Sequence, residues 1–87
     1  MTTLDLFHSV TEAGSAAVRR FVVARGLEAR VRFRNVTYPE VASDLAALGS
    51  SVTPALWDGE RLIIGEIAVI AALSSLLPAL ESASRGG

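Results

Sequence analysis

The side chains able to do chemistry fall in three places along this chain. Ser9, Thr11, Glu12 and Ser15 follow the only histidine, His8; Thr53 and Pro54 stand in a turn-rich run near the middle; Gly65 and Glu66 open the last apolar stretch. Nucleophilic catalysis needs a base within hydrogen-bond reach of the nucleophile. The sequence assembles no serine-histidine-acid set, no glycine-rich phosphate loop and no pair of catalytic carboxylates. A single histidine cannot supply a histidine cluster, and the carboxylates show no metal-ligand spacing, so no metal is expected. The chain has no cysteine, which removes disulfides, thiolate metal sites and dithiol exchange together. All eight basic residues are arginine, so lysine Schiff-base chemistry is also closed.

The elements that must position these groups alternate in type. Thr3 to Phe7 reads as a strand buried on both sides, with Leu4 and Leu6 on one face and Phe7 on the other, which places it centrally in a sheet. Ser9-Val10-Thr11-Glu12 has the form of a capping box, followed by Val18, Phe21, Val22 and Arg25 at helical spacing and by Gly26 as the closing residue. Ala29 to Val36 alternates strictly, with Arg30, Arg32 and Arg34 on one face and Val31, Phe33 and Asn35 on the other; a charged stripe of this kind suits an edge strand. Thr37-Tyr38-Pro39-Glu40 repeats the capping-box pattern before a short helix marked by Val41, Leu45 and Leu48 and ended by Gly49. Ala55-Leu56-Trp57, the turn pair Asp58-Gly59 and Arg61 to Ile64 form a hairpin, with Trp57 anchoring it against the core. From Glu66 an apolar helix is expected to pack on the sheet through Ile67, Ile70, Leu73 and Leu77, with Pro78 ending or kinking it.

Bulk properties agree with one small folded domain, residues 1-81, and a flexible tail, 82-87. The chain has 87 residues, 51% of them hydrophobic, and a mean hydropathy of +0.44, which excludes a disordered chain. The net charge of -1 and a pI near 5.7 provide no positive field to collect nucleic acid or anionic lipid. Leu62 to Leu80 is a run of 19 residues with one charge. It is not read as a membrane span, because Glu66 would cost about 2.5 to 3.5 kcal/mol near a bilayer centre and Gly65 and Pro78 break the run. Met1 to His8 lacks the basic start and apolar core of a signal peptide, and with no cysteine present a cytoplasmic location is expected.

The order β-α-β-α-β-β-α, with helices on both faces of a four-stranded mixed sheet, is the layout of the thioredoxin-like superfamily. The run Ala16 to Leu27, AAVRRFVVARGL, resembles the first helix of glutaredoxins and of glutathione-transferase N-terminal domains, and Gly49 to Gly65, GSSVTPALWDGERLIIG, is similar to the stretch of those families that holds their cis-proline, hairpin and final helix start. The chain is more distantly similar to the KaiB clock-protein family, which shares a thioredoxin-like half and lacks the cysteine pair. The glutaredoxin resemblance implies a cis Thr53-Pro54 bond, with Thr53 offering its backbone to an extended ligand. It also implies an anion site at Gly65-Glu66, and puts Glu12-Ala13-Gly14-Ser15 where a glutaredoxin carries its C-x-x-C motif.

That last departure shapes the functional expectation. A glutamate at the helix start enjoys the stabilisation that relatives give a thiolate, about 0.3 to 1 kcal/mol, but cannot exchange with a disulfide. The expected function is therefore a non-catalytic binding or adaptor module that holds a protein partner through His8, Glu12, Thr53, Pro54, Gly65 and Glu66. Apolar residues on a second face of the last helix, Val69 and Leu76, suggest a homodimer as one form of that partner. No cofactor is required. The alternative is a glutathione-binding, transferase-like enzyme using a hydroxyl of Ser9, Thr11 or Ser15, against which both Glu12 and Glu66 would repel the tripeptide's negative charges.

Overall fold

Hydrophobic side chains on both faces of one strand leave it no place but the middle of a sheet. In the computed structural model, which describes residues 3–85 and side chains as far as residue 76, β1 (Leu4–His8) has Leu4, Leu6 and Phe7 all buried. The chain continues through α1 (Ala13–Ala24), β2 (Val31–Asn35), α2 (Pro39–Ala47), β3 (Ala55–Trp57), β4 (Leu62–Ile64) and α3 (Glu66–Arg85). The sheet is four-stranded in the order β2-β1-β3-β4. β1 pairs parallel with β2, in the register Leu6 to Phe33, and antiparallel with β3, in the register Leu6 to Leu56; β3 and β4 form the antiparallel hairpin. This is the expected α/β architecture, with β1 central and β2 at an edge.

Two cores lie on opposite faces of the sheet. On one, Leu4, Leu6, Val31 and Leu56 meet Val18 and Val22 of α1 and Val69 and Leu73 of α3. On the other, Phe7 and Ala55 meet Val41 and Leu45 of α2, with Trp57 and Leu62 packed at the margin. Each fully buried leucine or phenylalanine contributes about 1.5 to 3 kcal/mol of transfer free energy. The arginine stripe of β2 runs along the second face, where Arg32 Nε lies 2.8 Å from Asp5 Oδ1 and Arg34 pairs with Asp44 and stands over the Phe7 ring.

The helix ends explain themselves in part. Gly26, at φ +66°, lets Leu27 N–H reach the Val22 carbonyl and Gly26 N–H the Val23 carbonyl, the closure that glycine favours after a C-cap; α2 ends the same way at Gly49. Neither expected capping box forms. The N-caps are Glu12 and Tyr38, neither with a side-chain bond to the first turn, because Ser9 and Thr37 stand too far upstream. Ser9 Oγ instead meets Thr11 Oγ1 at 3.1 Å, and Thr37 N–H donates to Asn35 Oδ1 at 2.9 Å, so both segments spend their polar groups on turns. Pro39 occupies the first turn of α2 as expected.

The last helix departs from expectation in two ways. Its core row is Val69 and Leu73, both fully buried, with Ile70 and Leu76 packed beside them, whereas Ile67 is 85% exposed. Spacing alone fits either row, and the choice falls to the helix start: Gly65 N–H donates to the Pro54 carbonyl at 2.9 Å, and Val69 N–H to the Gly65 carbonyl, which fixes the rotation of the first turn. Val69 and Leu76 are thus part of the fold rather than a spare face. The helix also continues through Pro78 to Arg85, taking in residues 82–85 of the expected tail. An interior proline costs a helix about 3 kcal/mol, but here the preceding turns are docked on the sheet and Ala79, Leu80, Glu81 and Ala83 are strong helix formers. The expected core residue Leu77 lies outside the residues whose side chains are described.

Candidate functional site

Topology gathers four loops at one end of the sheet. β1 and β2 are parallel and end there, at His8 and Asn35; β3, antiparallel to β1, begins there after Pro54; β4 ends there at Ile64. The residues after β1, after β2, before β3 and at the start of α3 are therefore neighbours in space, although they span the chain from Ser9 to Glu66. The Thr53-Pro54 peptide bond is cis, as the resemblance implied.

Glu12 is the hub of this end. Its backbone caps α1 in an extended conformation, φ −110° and ψ 129°, and its side chain turns back across the helix start. Oε1 accepts a hydrogen bond from Ser15 Oγ at 2.5 Å and another from Thr53 Oγ1 at 3.0 Å. Ser15 Oγ in turn accepts from the Ser9 N–H at 3.0 Å, so a continuous chain of bonds runs from the end of β1 through α1 to the residue before Pro54. Gly14 lies at the centre of the remaining group. A methyl on its α-carbon would stand 3.4 Å from Glu66 Oε1 and 3.5 Å from Pro54 Cδ, which places the Glu66 carboxylate over the first turn of α1.

Two carboxylates thus occupy the positive end of α1, where a thiolate or a ligand anion would otherwise be stabilised. The third element of an anion site is also committed, since the Gly65 N–H is bonded to the Pro54 carbonyl.

His8 belongs to a different environment. The ring is buried, with 6% exposure, on the face of the sheet that carries α1, and its edge meets Phe33 at a centroid distance of 5.6 Å. Arg19 Nη1 lies 3.0 Å from Nδ1 and also donates to the Ser9 carbonyl. Because a guanidinium can only donate, Nδ1 is the acceptor and the ring proton sits on Nε2. Burial first, and the Arg19 charge second, hold the His8 pKa below its ordinary value of 6.5. The imidazole is a neutral structural group, and no bond joins it to Glu12.

The candidate hydroxyls are brought together without the imidazole, and only Ser15 meets a carboxylate, that of Glu12. Ser15 is fully buried and has both hydrogen-bonding roles filled; Ser9 and Thr11 bond to each other, Thr11 in the open. Sequence reasoning missed Arg19, Gly14 and the exposed apolar residues around the site. Arg19 could have been found, since Ser15 and Arg19 fall on the same helical stripe as Val18 and Val22 and so must enter the core side as polar groups. Val10, Tyr38, Val52, Ile64 and Ile67, each between 43% and 85% exposed, all belong to this same end of the sheet. They carry no motif and become visible only once the loops are assembled.

Among the described residues no group of three or more histidine, cysteine, aspartate or glutamate side chains could hold a metal ion. Among them, too, no helix is long and apolar enough to cross a membrane. No protein-family model matches the chain, and no curated protein matches it closely enough to be counted a relative.

Proposed function

We propose that the chain is a thioredoxin-like, glutaredoxin-type module that binds a protein partner without thiol-disulfide chemistry, through the loop end around Glu12, Thr53, Pro54 and Glu66. One observation carries this: the carboxylate at the start of α1 is tied inward to Ser15 and Thr53, while five large apolar side chains at the same end point to solvent. A polar centre satisfied by its own protein and ringed by exposed Val10, Tyr38, Val52, Ile64 and Ile67 has the make-up of an interaction surface, where apolar contact supplies the driving force. Several features speak against glutathione. Glu12 and Glu66 oppose its carboxylates, the Gly65 N–H is already bonded, and the buried Ser15 hydroxyl has no access to a substrate. A second copy of the chain docked through Ile67 is one form such a partner could take.

The test compares what the immobilised protein retains from its native host with what Val52→Asp and Ile67→Asp retain, with Ala47→Lys at the far end of α2 as control. A partner kept by the native chain and the control but lost by both site variants supports the proposal. Equal retention by all four sinks it. So does a melting temperature that climbs with the logarithm of added reduced glutathione, the signature of specific ligand binding.

A further inference from the structure

A second surface lies along β2, away from the loop end. β2 is hydrogen-bonded to β1 on one side only. Leu4 N–H donates to the Arg30 carbonyl and Val36 N–H to the His8 carbonyl, so the even-numbered residues turn their backbone groups toward β1 and Val31, Phe33 and Asn35 turn theirs outward. The Val31 N–H is taken by the Leu27 carbonyl and the Asn35 carbonyl by the Tyr38 N–H. Among the described residues, the Val31 carbonyl, both groups of Phe33 and the Asn35 N–H have no backbone partner and form an open run on the sheet edge.

Beside that edge lies a shallow groove lined by Ala16, Arg19, Arg20, Val23, Ala24 and Phe33. Val23 is 56% exposed and Phe33 39%. Among the described residues neither Arg19 nor Arg20 has an ion-pair partner, unlike Arg32 and Arg34 on the opposite face, which are matched by Asp5 and Asp44. With His8 neutral, the groove is apolar at its floor and carries two unmatched positive charges on its α1 wall.

We propose that this edge and groove dock an extended segment of a partner protein whose every second side chain, those turned to the α1 face, is in turn apolar and acidic. The segment adds as a fifth strand, exchanging backbone hydrogen bonds with Phe33 and its neighbours. Its apolar side chains lie over Phe33 and Val23, and its carboxylates reach Arg19 and Arg20. The same charges select against a second copy of this chain: two β2 edges laid antiparallel would bring the Arg19 and Arg20 walls of both copies together on one face, and unmatched like charges repel. This proposal uses none of Glu12, Thr53, Pro54 and Glu66, so its failure would leave that site untouched.

The test uses fluorescein-labelled short peptides on the full chain: one of Val-Ser-Glu-Ser repeats, which turns valine and glutamate to the same face, one of Val-Ser-Lys-Ser repeats, and a copy of the first with its central backbone nitrogens methylated. Saturable anisotropy is expected for the first alone, together with slowed hydrogen exchange at the Phe33 and Asn35 amides. Arg20→Glu is expected to weaken binding about tenfold, while Arg61→Glu, the same charge change on the opposite edge of the sheet, leaves it unaltered. Equal binding of the lysine or the methylated peptide overturns the proposal, as does unchanged exchange at Phe33 and Asn35 or equal weakening by Arg61→Glu. Tight binding of a single-stranded oligonucleotide to the same groove, or a dimer of the chain that protects the same amides, assigns the surface to another occupant and overturns it as well.

Discussion

Glu12 and Thr53 are 41 residues apart in the chain, and Thr53 Oγ1 donates to Glu12 Oε1 at 3.0 Å. This contact joins the start of α1 to the loop before β3, two segments that share no strand pairing. It also settles the fate of the position where the resemblance would put a sulfur nucleophile: the side chain there is a structural acceptor.

A double-mutant cycle measures that contact. Glu12→Gln and Thr53→Val are each expected to destabilise by about 0.5 to 1.5 kcal/mol, the net worth of a partly solvated hydrogen bond, and the double variant by less than the sum. Urea denaturation of the four proteins gives the coupling. Strict additivity would show that the two side chains do not interact in solution.

His8 makes stability depend on pH in a defined direction. Its folded pKa lies below the unfolded value near 6.5, so the unfolded chain takes up the proton first as the solution is acidified. Stability is therefore fully present above pH 6.5, falls as the pH drops below it, and levels off once the folded form is also protonated. His8→Gln should remove this component of the profile. A native chain whose stability is flat from pH 7 to pH 5, or rises, would contradict the assignment.

The rotation of α3 is open to a direct contrast. Leu73→Ala empties a fully buried position and is expected to cost about 2 to 5 kcal/mol, whereas Ile67→Ala, at 85% exposure, should change stability by less than about 0.5 kcal/mol. Chemical denaturation of the two variants checks the row. Comparable losses would mean that the helix faces the sheet as spacing first suggested.

Gly65 joins β4 to α3 at φ +103°, with open space where a side chain would begin. Gly65→Ala is therefore expected to destabilise by backbone conformation alone, about 1 to 2 kcal/mol, with no rearrangement of neighbours. A shift in melting temperature accompanied by unchanged amide spectra around Pro54 is the anticipated result. An unchanged melting temperature would argue against the left-handed backbone at this residue.

Most of the architecture was legible because it rests on short-range periodicity. The two-sided burial of Leu4, Leu6 and Phe7 announces a central strand; the alternation from Ala29 to Val36 announces an edge; Asp58-Gly59 announces the hairpin, although its turn is wider than a pair, with Asp58 Oδ1 accepting from both Glu60 and Arg61 N–H groups. What failed was long-range. Ser9 looks like an N-cap until Ser15 draws on its backbone, and Ile67 looks like a core residue until the Pro54 carbonyl fixes the first turn of α3. Of the site, Glu12, Thr53, Pro54 and Glu66 were identifiable and do converge. His8, expected beside them, instead faces Arg19 and Phe33, because alternation along β1 sends it to the face covered by α1 and α3.

The unequal cover of the two faces has a dynamic consequence. α2 is nine residues long and holds to the sheet through Val41 and Leu45, whereas α1 and α3 close the other face together. Regions with few buried anchors open locally at a fraction of the global free energy, so amides of α2 should exchange well before those of β1. Because α2 leads directly into the loop that carries Thr53, each such opening loosens one wall of the loop end while the Glu12 wall stays fixed. Under the proposed function, an incoming partner would meet one jaw that is set and one that breathes.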